Sequence, residues 1–372
     1  MSTDQPDAVE AHPVSASSRP SKTNPADHGS GRYGPSARQS LKQPLTERDG
    51  VGLRASVCEA NSRGVDAISW RRSTSRWRDY IRESGETASV FENLEGEQVT
   101  GSNPNRFMPD YADKQYAKLK DLERGIRADY RSPWTAMLTF TASSTTEDGE
   151  PIPPVDHLDE LLSSWSAVTR SLRREMEGRR YERLAILEPH KSGYIHVHMA
   201  VFVDGRVRPE TFAPVIEAHV RNCDLAGEDA HRLDPDDPNE DGVVSVHEVG
   251  GDRDRGQLEN LGTYLAEYLG TYGDDPLDAP DHQQMANAVL WATGRQRWRP
   301  SNGAQEYMAT NRGESVSEWE FVGIEDGNGE VHEVSSGGGV ARMTTCTDVR
   351  ETDPPPDGGG DRWGGLHEDR RQ

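Results

Sequence analysis

The chain has little cysteine. Cys58, Cys223 and Cys346 lie far apart and form no C-x-x-C pair, which argues against a disulfide framework and against a thiolate zinc site. No apolar run approaches the roughly 18 residues of a membrane-spanning helix, and the first residues carry no hydrophobic signal core, so the expected location is cytoplasmic. A G-x-x-x-x-G-K-[ST] phosphate loop is also missing, so ATP-driven unwinding is not expected from this sequence. Only 33% of the 372 residues are hydrophobic, against 36 glycines and 23 prolines, so much of the chain is expected in loops and tails. Lysine is scarce too. It occurs only at positions 22, 42, 114, 118, 120 and 191, leaving 36 of the 42 basic residues as arginine.

The net charge of −22 argues at first against a polyanionic partner. Abundant Asp and Glu with few lysines resemble the proteins of salt-accumulating halophiles, however. In molar salt the Debye length falls to about 3 Å, so distant acidic residues hardly repel a phosphate backbone. Ionic attraction weakens as well. Stacking, coordination and close arginine contacts must then carry nucleic-acid binding.

The most informative stretch is RLAILEPHKSGYIHVHMAVFV, Arg183 to Val203. Residues 184–190 and 194–203 read as strands separated by Lys191-Ser192-Gly193, a three-residue hairpin loop with glycine at the left-handed position. That loop pairs 190 with 194, 188 with 196 and 186 with 198. His196 and His198 leave the same face of their strand, and Glu188 lies opposite His196 with Cβ atoms roughly 5 Å apart. Two imidazoles and a carboxylate on one face make a facial site for a divalent cation. A change of one residue in the loop would send Glu188 to the other face. Pro189 weighs against the first strand, because proline is confined mostly to edges and bulges. His190 shares the side of Glu188 and is a further candidate to line the site. Other H-x-H chemistries do not fit. A histidine-triad hydrolase needs a third histidine at 200 and a dinuclear metallo-hydrolase Asp-His at 200 and 201, where this chain has Ala200 and Val201.

Along the chain, residues 1–61 are rich in Ser, Pro, Gly and Ala and are expected to be a disordered tail. Residues 62–130 form a helical segment: a short helix near 66–82 with Trp70, Trp77 and Tyr80, turns over 92–109, and a helix over 111–130 with Tyr116, Leu119, Leu122 and Ile126 inward. Residues 134–142 read as a buried strand and 155–178 as one amphipathic helix, with Arg170, Arg173, Arg174, Arg179, Arg180 and Arg183 at and beyond its end. A helix over 209–225 and a strand over 243–249 follow, with His219 and His231 expected at the surface. The order strand, helix, hairpin, helix, strand predicts an α+β fold, an antiparallel sheet with flanking helices.

Residues 258–272, LENLGTYLAEYLGTY, read as a helix with Tyr264, Tyr268 and Tyr272 on one face. Leu261, Leu265 and Leu269 make a separate stripe rotated by about 100°, which can serve the core and leave the tyrosines free. After a helix over 279–293, Trp291 and Trp298 interleave with Arg295, Arg297 and Arg299, a composition suited to single-stranded nucleic acid. A hairpin is expected across Asp326-Gly327-Asn328-Gly329, and a Gly- and Asp-rich disordered tail beyond about 335.

Three elements in this order resemble one family. MLTFTAS (Met137 to Ser143) is similar to its first motif, HVH (His196 to His198) to its second and YLAEY (Tyr264 to Tyr268) to its third. The family is the HUH endonucleases, in particular the rolling-circle replication initiators of haloarchaeal plasmids and viruses. The resemblance spans about residues 111–310. It implies a ferredoxin-like or RRM-like palm and a nicking domain over 131–310, flanked by the helical segment 62–130, a hairpin over 311–334 and an acidic, Gly-rich tail over 335–372. It also implies Mg2+ or Mn2+ held by Glu188, His196 and His198, and Tyr264 or Tyr268 as nucleophile on a scissile phosphate, with 5′-phosphotyrosine and 3′-OH as products. Arg295, Arg297, Trp298 and Arg299 would contact DNA. Implied partners are single-stranded origin DNA and a host helicase and polymerase, with no membrane and no small-molecule cofactor. Two-tyrosine members often carry Lys before the second tyrosine, where this chain has Glu267. Transposases and relaxases share the motifs, and a non-catalytic repressor could share the fold.

Overall fold

The computed structural model describes residues 37–48, 51–58, 68–103, 105–233, 242–249, 275–308 and 319–333. The helices are α1 (Ala37–Ser40), α2 (Ala55–Cys58), α3 (Trp70–Gly85), α4 (Pro109–Asp129), α5 (Pro154–Ser163), α6 (Trp165–Glu175), α7 (Ala213–Asn222), α8 (Asp281–Thr293) and α9 (Asn302–Met308). The strands are β1 (Pro44–Leu45), β2 (Ile68–Ser69), β3 (Ala88–Glu92), β4 (Gln98–Ser102), β5 (Pro133–Phe140), β6 (Tyr181–Pro189), β7 (Ile195–Asp204), β8 (Val244–Glu248), β9 (Trp298–Pro300), β10 (Glu320–Glu325) and β11 (Val331–Glu333).

The central sheet has five antiparallel strands in the order β8-β5-β7-β6-β9. The fold is therefore α+β with antiparallel sheets, as the element order predicts. Strand β7 sits in the middle and is buried from Ile195 to Val203. Both faces of the sheet are covered, which is why β6 and β7 are apolar on both sides rather than alternating. On one face Leu138, Phe140, Leu187, Val197, Met199 and Val201 join a core with residues of α3, α5, α6, α7 and α8. On the other, Met137, Leu184, Ile186, Ala200 and Phe202 meet Leu119, Leu122 and Ile126 of α4 together with Ala304 and Met308 of α9. Burying each of those three α4 side chains is worth roughly 1.5–3 kcal/mol. The helix's ion pairs, such as Arg127 with the buried Glu123 at 2.8 Å, offset the cost of burying a carboxylate rather than drive the packing. Apolar burial holds α4 in place.

Several elements differ from the sequence expectation. The helix expected over 155–178 is two helices that meet at Ser164, whose hydroxyl engages the Leu161 carbonyl at 3.3 Å and His219 Nδ1 at 2.7 Å. A serine side chain that bonds to nearby backbone competes with helix continuation. The helix expected over 209–225 opens as a 3-10 turn, Pro209–Phe212, before α7. Residues 98–102, expected as turn, form β4 against β3. This strand is mostly exposed, so no alternation of apolar residues marks it.

The hairpin of β10 and β11 also pairs with β3, giving a second sheet in the order β11-β10-β3-β4 in which the Phe91 and Phe321 rings lie 5.6 Å apart. Residues 37–48 and 51–58, expected within a disordered tail, place Leu45 and Val57 fully buried in the main core. A few apolar residues in a polar background suffice there, because a deep site is ready to receive them. Arg48 secures the segment to Glu160 at 3.0 Å, and Thr46 donates to Asp156 at 2.7 Å.

The turn between β6 and β7 is sterically tight. Gly193 has φ +87°, and a Cβ there would lie 3.0 Å from Met285 Cε and 3.3 Å from the Trp70 ring. Gly193→Ala is expected to lower stability by about 1–2 kcal/mol from the left-handed backbone alone, with more from crowding. The midpoint of urea unfolding at fixed pH measures it.

Candidate metal centre

The loop Lys191-Ser192-Gly193 closes as its length requires: the His190 amide donates to the Tyr194 carbonyl at 2.7 Å. Glu188 then faces His196, and Ile186 faces His198. Pro189 is tolerated for a reason of phase. The amides of the odd-numbered residues of β6 point away from β7, as Leu187 shows by donating to the Arg297 carbonyl. At position 189 the neighbouring β9 has already ended, so proline forfeits no ladder bond.

Glu188, His196 and His198 are all buried, and their ligand atoms lie within 4.8 Å of one another. Glu188 Oε2 is 2.7 Å from His198 Nε2 and 3.5 Å from His196 Nε2. Burial alone would raise the Glu188 carboxyl, but the adjoining imidazoles of His198 and His196 outweigh it and hold it well below the usual carboxylate range. The carboxylate is therefore anionic inside the protein. Burial lowers His198, partly opposed by Glu188, which favours its neutral, ligating form. His196 Nε2 is buried and makes no hydrogen bond, a costly state for a polar atom unless something binds it.

Thr139 of β5, directly across from His198, places its hydroxyl 3.1 Å from His198 Nδ1. A cation at Nε2 would select the tautomer with the proton on Nδ1, which then donates to Thr139. Sequence reasoning saw this strand but not this role, since β5 and β7 are not joined by a hairpin and no local rule sets their register. One carboxylate oxygen and two imidazole nitrogens are a donor set that could hold a divalent cation. His190 stands beside the cluster, its ring 6.1 Å from that of His196 and its Nδ1 3.1 Å from Ser192 Oγ.

A family model described as "Putative rep protein (DUF1424)" matches residues 42–358. The chain belongs to this family. It is also 46% identical over 285 residues to an "Uncharacterized 36 kDa protein" of Halobacterium salinarum, covering 75% of this chain and 90% of that protein. A similarly titled protein of Halobacterium sp. (strain GN101) is 45% identical over 287 residues, 74% of this chain and 87% of its own length. No solved structure matches.

Other residues of this Rep-family protein separate by sheet face. Trp298 opposes Ile186, so it shares the face of the cation cluster, and its indole donates to the Tyr111 hydroxyl at 3.0 Å. Arg299 opposes Ala185 and by alternation belongs to the other face. Arg297 hydrogen-bonds Asn287 of α8 there, and Arg295 is ion-paired with Asp159 at 3.1 Å. Of the Trp and Arg residues singled out as DNA contacts, only Trp298 lies on the same side as Glu188, His196 and His198. Tyr264 and Tyr268 lie outside the described residues. Among the described residues no helix is long and apolar enough to cross a membrane.

The expectation that His219 and His231 are surface residues is overturned: they are 0% and 6% exposed. Each has a structural hydrogen-bond set. His219 Nε2 donates to the Thr141 carbonyl at 2.9 Å, and His231 Nδ1 donates to the Gly227 carbonyl at 2.7 Å while its Nε2 accepts from the Thr141 amide at 3.2 Å. Their rings are 4.9 Å apart. Burial first, then the neighbouring His231, pushes His219 down to about 3, and burial lowers His231 as well.

Both rings are thus neutral when folded, whereas unfolded imidazoles take up a proton near 6.5. As pH falls from 6.5 toward 3 the unfolded chain binds more protons, so stability declines across that window. The slope reaches about 1.4 kcal/mol per pH unit for each such histidine. Urea midpoints measured from pH 7 to 4.5 are expected to fall, and to fall less steeply in His219→Gln.

Proposed function

We propose that this protein initiates rolling-circle replication by cutting one DNA strand at an origin and later rejoining it. The observation that carries the reading is the buried cluster of Glu188, His196 and His198 on the two central strands of an antiparallel sheet, in a chain of the Rep family. The motif order supports it, with the strand of Thr139 first, the two histidines second and the paired tyrosines third.

Glu188, His196 and His198 hold Mg2+ or Mn2+ in this scheme, and Thr139 keeps the His198 ring turned toward it. When bound, such an ion supplies Lewis-acid polarisation of a phosphoryl oxygen. Tyr264 or Tyr268 contributes the nucleophile. Its phenolic oxygen bonds to the scissile phosphorus as the bond from phosphorus to the 3′ oxygen breaks. The products are a 5′-phosphotyrosine and a 3′-hydroxyl, which takes up the proton that the phenol gives up. The reverse attack by a 3′-hydroxyl reseals the strand and frees the tyrosine, so the phosphodiester energy is kept throughout. The free 3′-hydroxyl would feed a host polymerase, and a host helicase would open the duplex. The half-buried Trp298, on the same sheet face as the cluster, is suited to stack a base of the unpaired strand.

Incubating the full chain and Mn2+ with labelled single-stranded origin DNA is expected to give a covalent protein–DNA adduct. Tyr264→Phe combined with Tyr268→Phe should abolish it, and His198→Ala should reduce it at least 100-fold. Peptide mapping of the linked residue then identifies the nucleophile. Specific DNA binding with no adduct under any metal would replace this reading with that of a non-catalytic DNA-binding protein.

A further inference from the structure

On the sheet face that carries the cation cluster, α4 buries two polar residues among apolar ones: Glu123, which is ion-paired with Arg127 at 2.8 Å, and Gln115. Gln115 precedes Leu119, Leu122 and Ile126 at helical spacing, is 3% exposed, and its Oε1 is buried with no hydrogen-bond partner. An unmet buried amide oxygen is destabilising. A leucine at this position would instead add buried apolar surface. Packing alone therefore gives no reason for glutamine here.

The path of α4 says what this oxygen is near. The C-terminal end of the helix is held at the start of β6, where Arg180 meets Asp129 at 3.1 Å and lies over the Tyr130 ring at 5.0 Å. Its N-terminal half lies further along β6, beside Trp298, which pairs with Ile186 past the middle of the strand. There Tyr111 accepts from Trp298, and Lys118 Nζ lies 5.9 Å from the Trp298 ring centre. Leu119 shares its apolar cluster with Ile186 and Ala200. The next residues on that face toward the hairpin turn are Glu188 and His198. Gln115 is one helical turn beyond Leu119 in the same direction, about 5.4 Å, which nearly matches a two-residue step of about 6.6 Å along a strand.

The geometry points to Gln115 as a fourth protein donor to the divalent cation, its Oε1 binding the ion directly or through one water. This rests on the reading of Glu188, His196 and His198 as a cation site. A neutral amide oxygen suits a hard cation, and it adds a ligand without adding a second buried negative charge.

Titrating the full chain with Mn2+, with free ion followed by electron paramagnetic resonance, tests the assignment without reference to DNA cleavage. Gln115→Met keeps the length and removes the oxygen; it should weaken Mn2+ binding about 10–100-fold while leaving thermal stability equal or higher. Gln115→Glu should bind Mn2+ more tightly than the natural chain, and His196→Ala should bind almost none. Unchanged Mn2+ affinity in Gln115→Met overturns the inference but leaves the three-residue site standing. Should that variant fail to fold, Gln115→Glu decides, and unchanged affinity there is equally fatal. Absence of Mn2+ binding by the natural chain would remove both this assignment and the metal-dependent reading on which it rests.

Discussion

The site depends on the phase of one antiparallel ladder. Strand β6 offers a carboxylate at 188 and strand β7 two imidazoles at 196 and 198. They converge only because a three-residue loop ending in a left-handed glycine sets 188 against 196. A slip of one residue would bury Leu187 or Pro189 where Glu188 now lies, and would turn the carboxylate into the helical layer on the other face. Packing around Gly193 opposes such a slip, because Met285 and Trp70 leave no space for a larger loop residue. Helices α3 and α8 thus support a site that lies on the face they do not cover.

Burial gives the cluster its electrostatic character. A carboxylate enclosed by apolar β6 and β7 would ordinarily take up a proton, and an enclosed imidazole such as that of His198 would stay neutral. Placed together they resolve the conflict, with a charged Glu188 beside a neutral His198. The buried pair His219 and His231 shows the contrasting case. There the partners are backbone carbonyls, an amide and the Ser164 hydroxyl, every ring nitrogen is engaged, and the role is structural. Two histidines near one another do not make a metal site. What separates the pairs is an anionic partner, and ring nitrogens turned toward it rather than toward the backbone.

The ordering of layers also bears on how DNA could reach the site. The face opposite the cluster is closed by α3, α5, α6, α7 and α8 together with α2, and the arginines around β9 are drawn into that side, Arg295 to Asp159 and Arg297 to Asn287. The cluster's own face is covered by α4 and α9, with Trp298 and Tyr111 joined near the N-terminal end of α4. Aromatic surface and coordination, rather than a field of arginines, are what this side provides. This accords with a chain whose net charge is strongly negative.

Local chemistry was enough to read the hairpin. Loop length, the glycine and the two-residue period of a strand placed Glu188 opposite His196 before any tertiary contact was considered. The amphipathic stripe of α4 and the antiparallel α+β character were legible for the same reason, since each follows from spacing along a short stretch. Thr139 beside His198, the buried Gln115, the break at Ser164 and the interior positions of Leu45, His219 and His231 were not. Each depends on a partner at least several dozen residues away, or on which face of a strand a neighbouring helix happens to cover. Spacing along the chain sets what a segment can present. Only the folded packing decides which presented groups meet, because contact across the sheet follows from register and layer order, which no local pattern encodes.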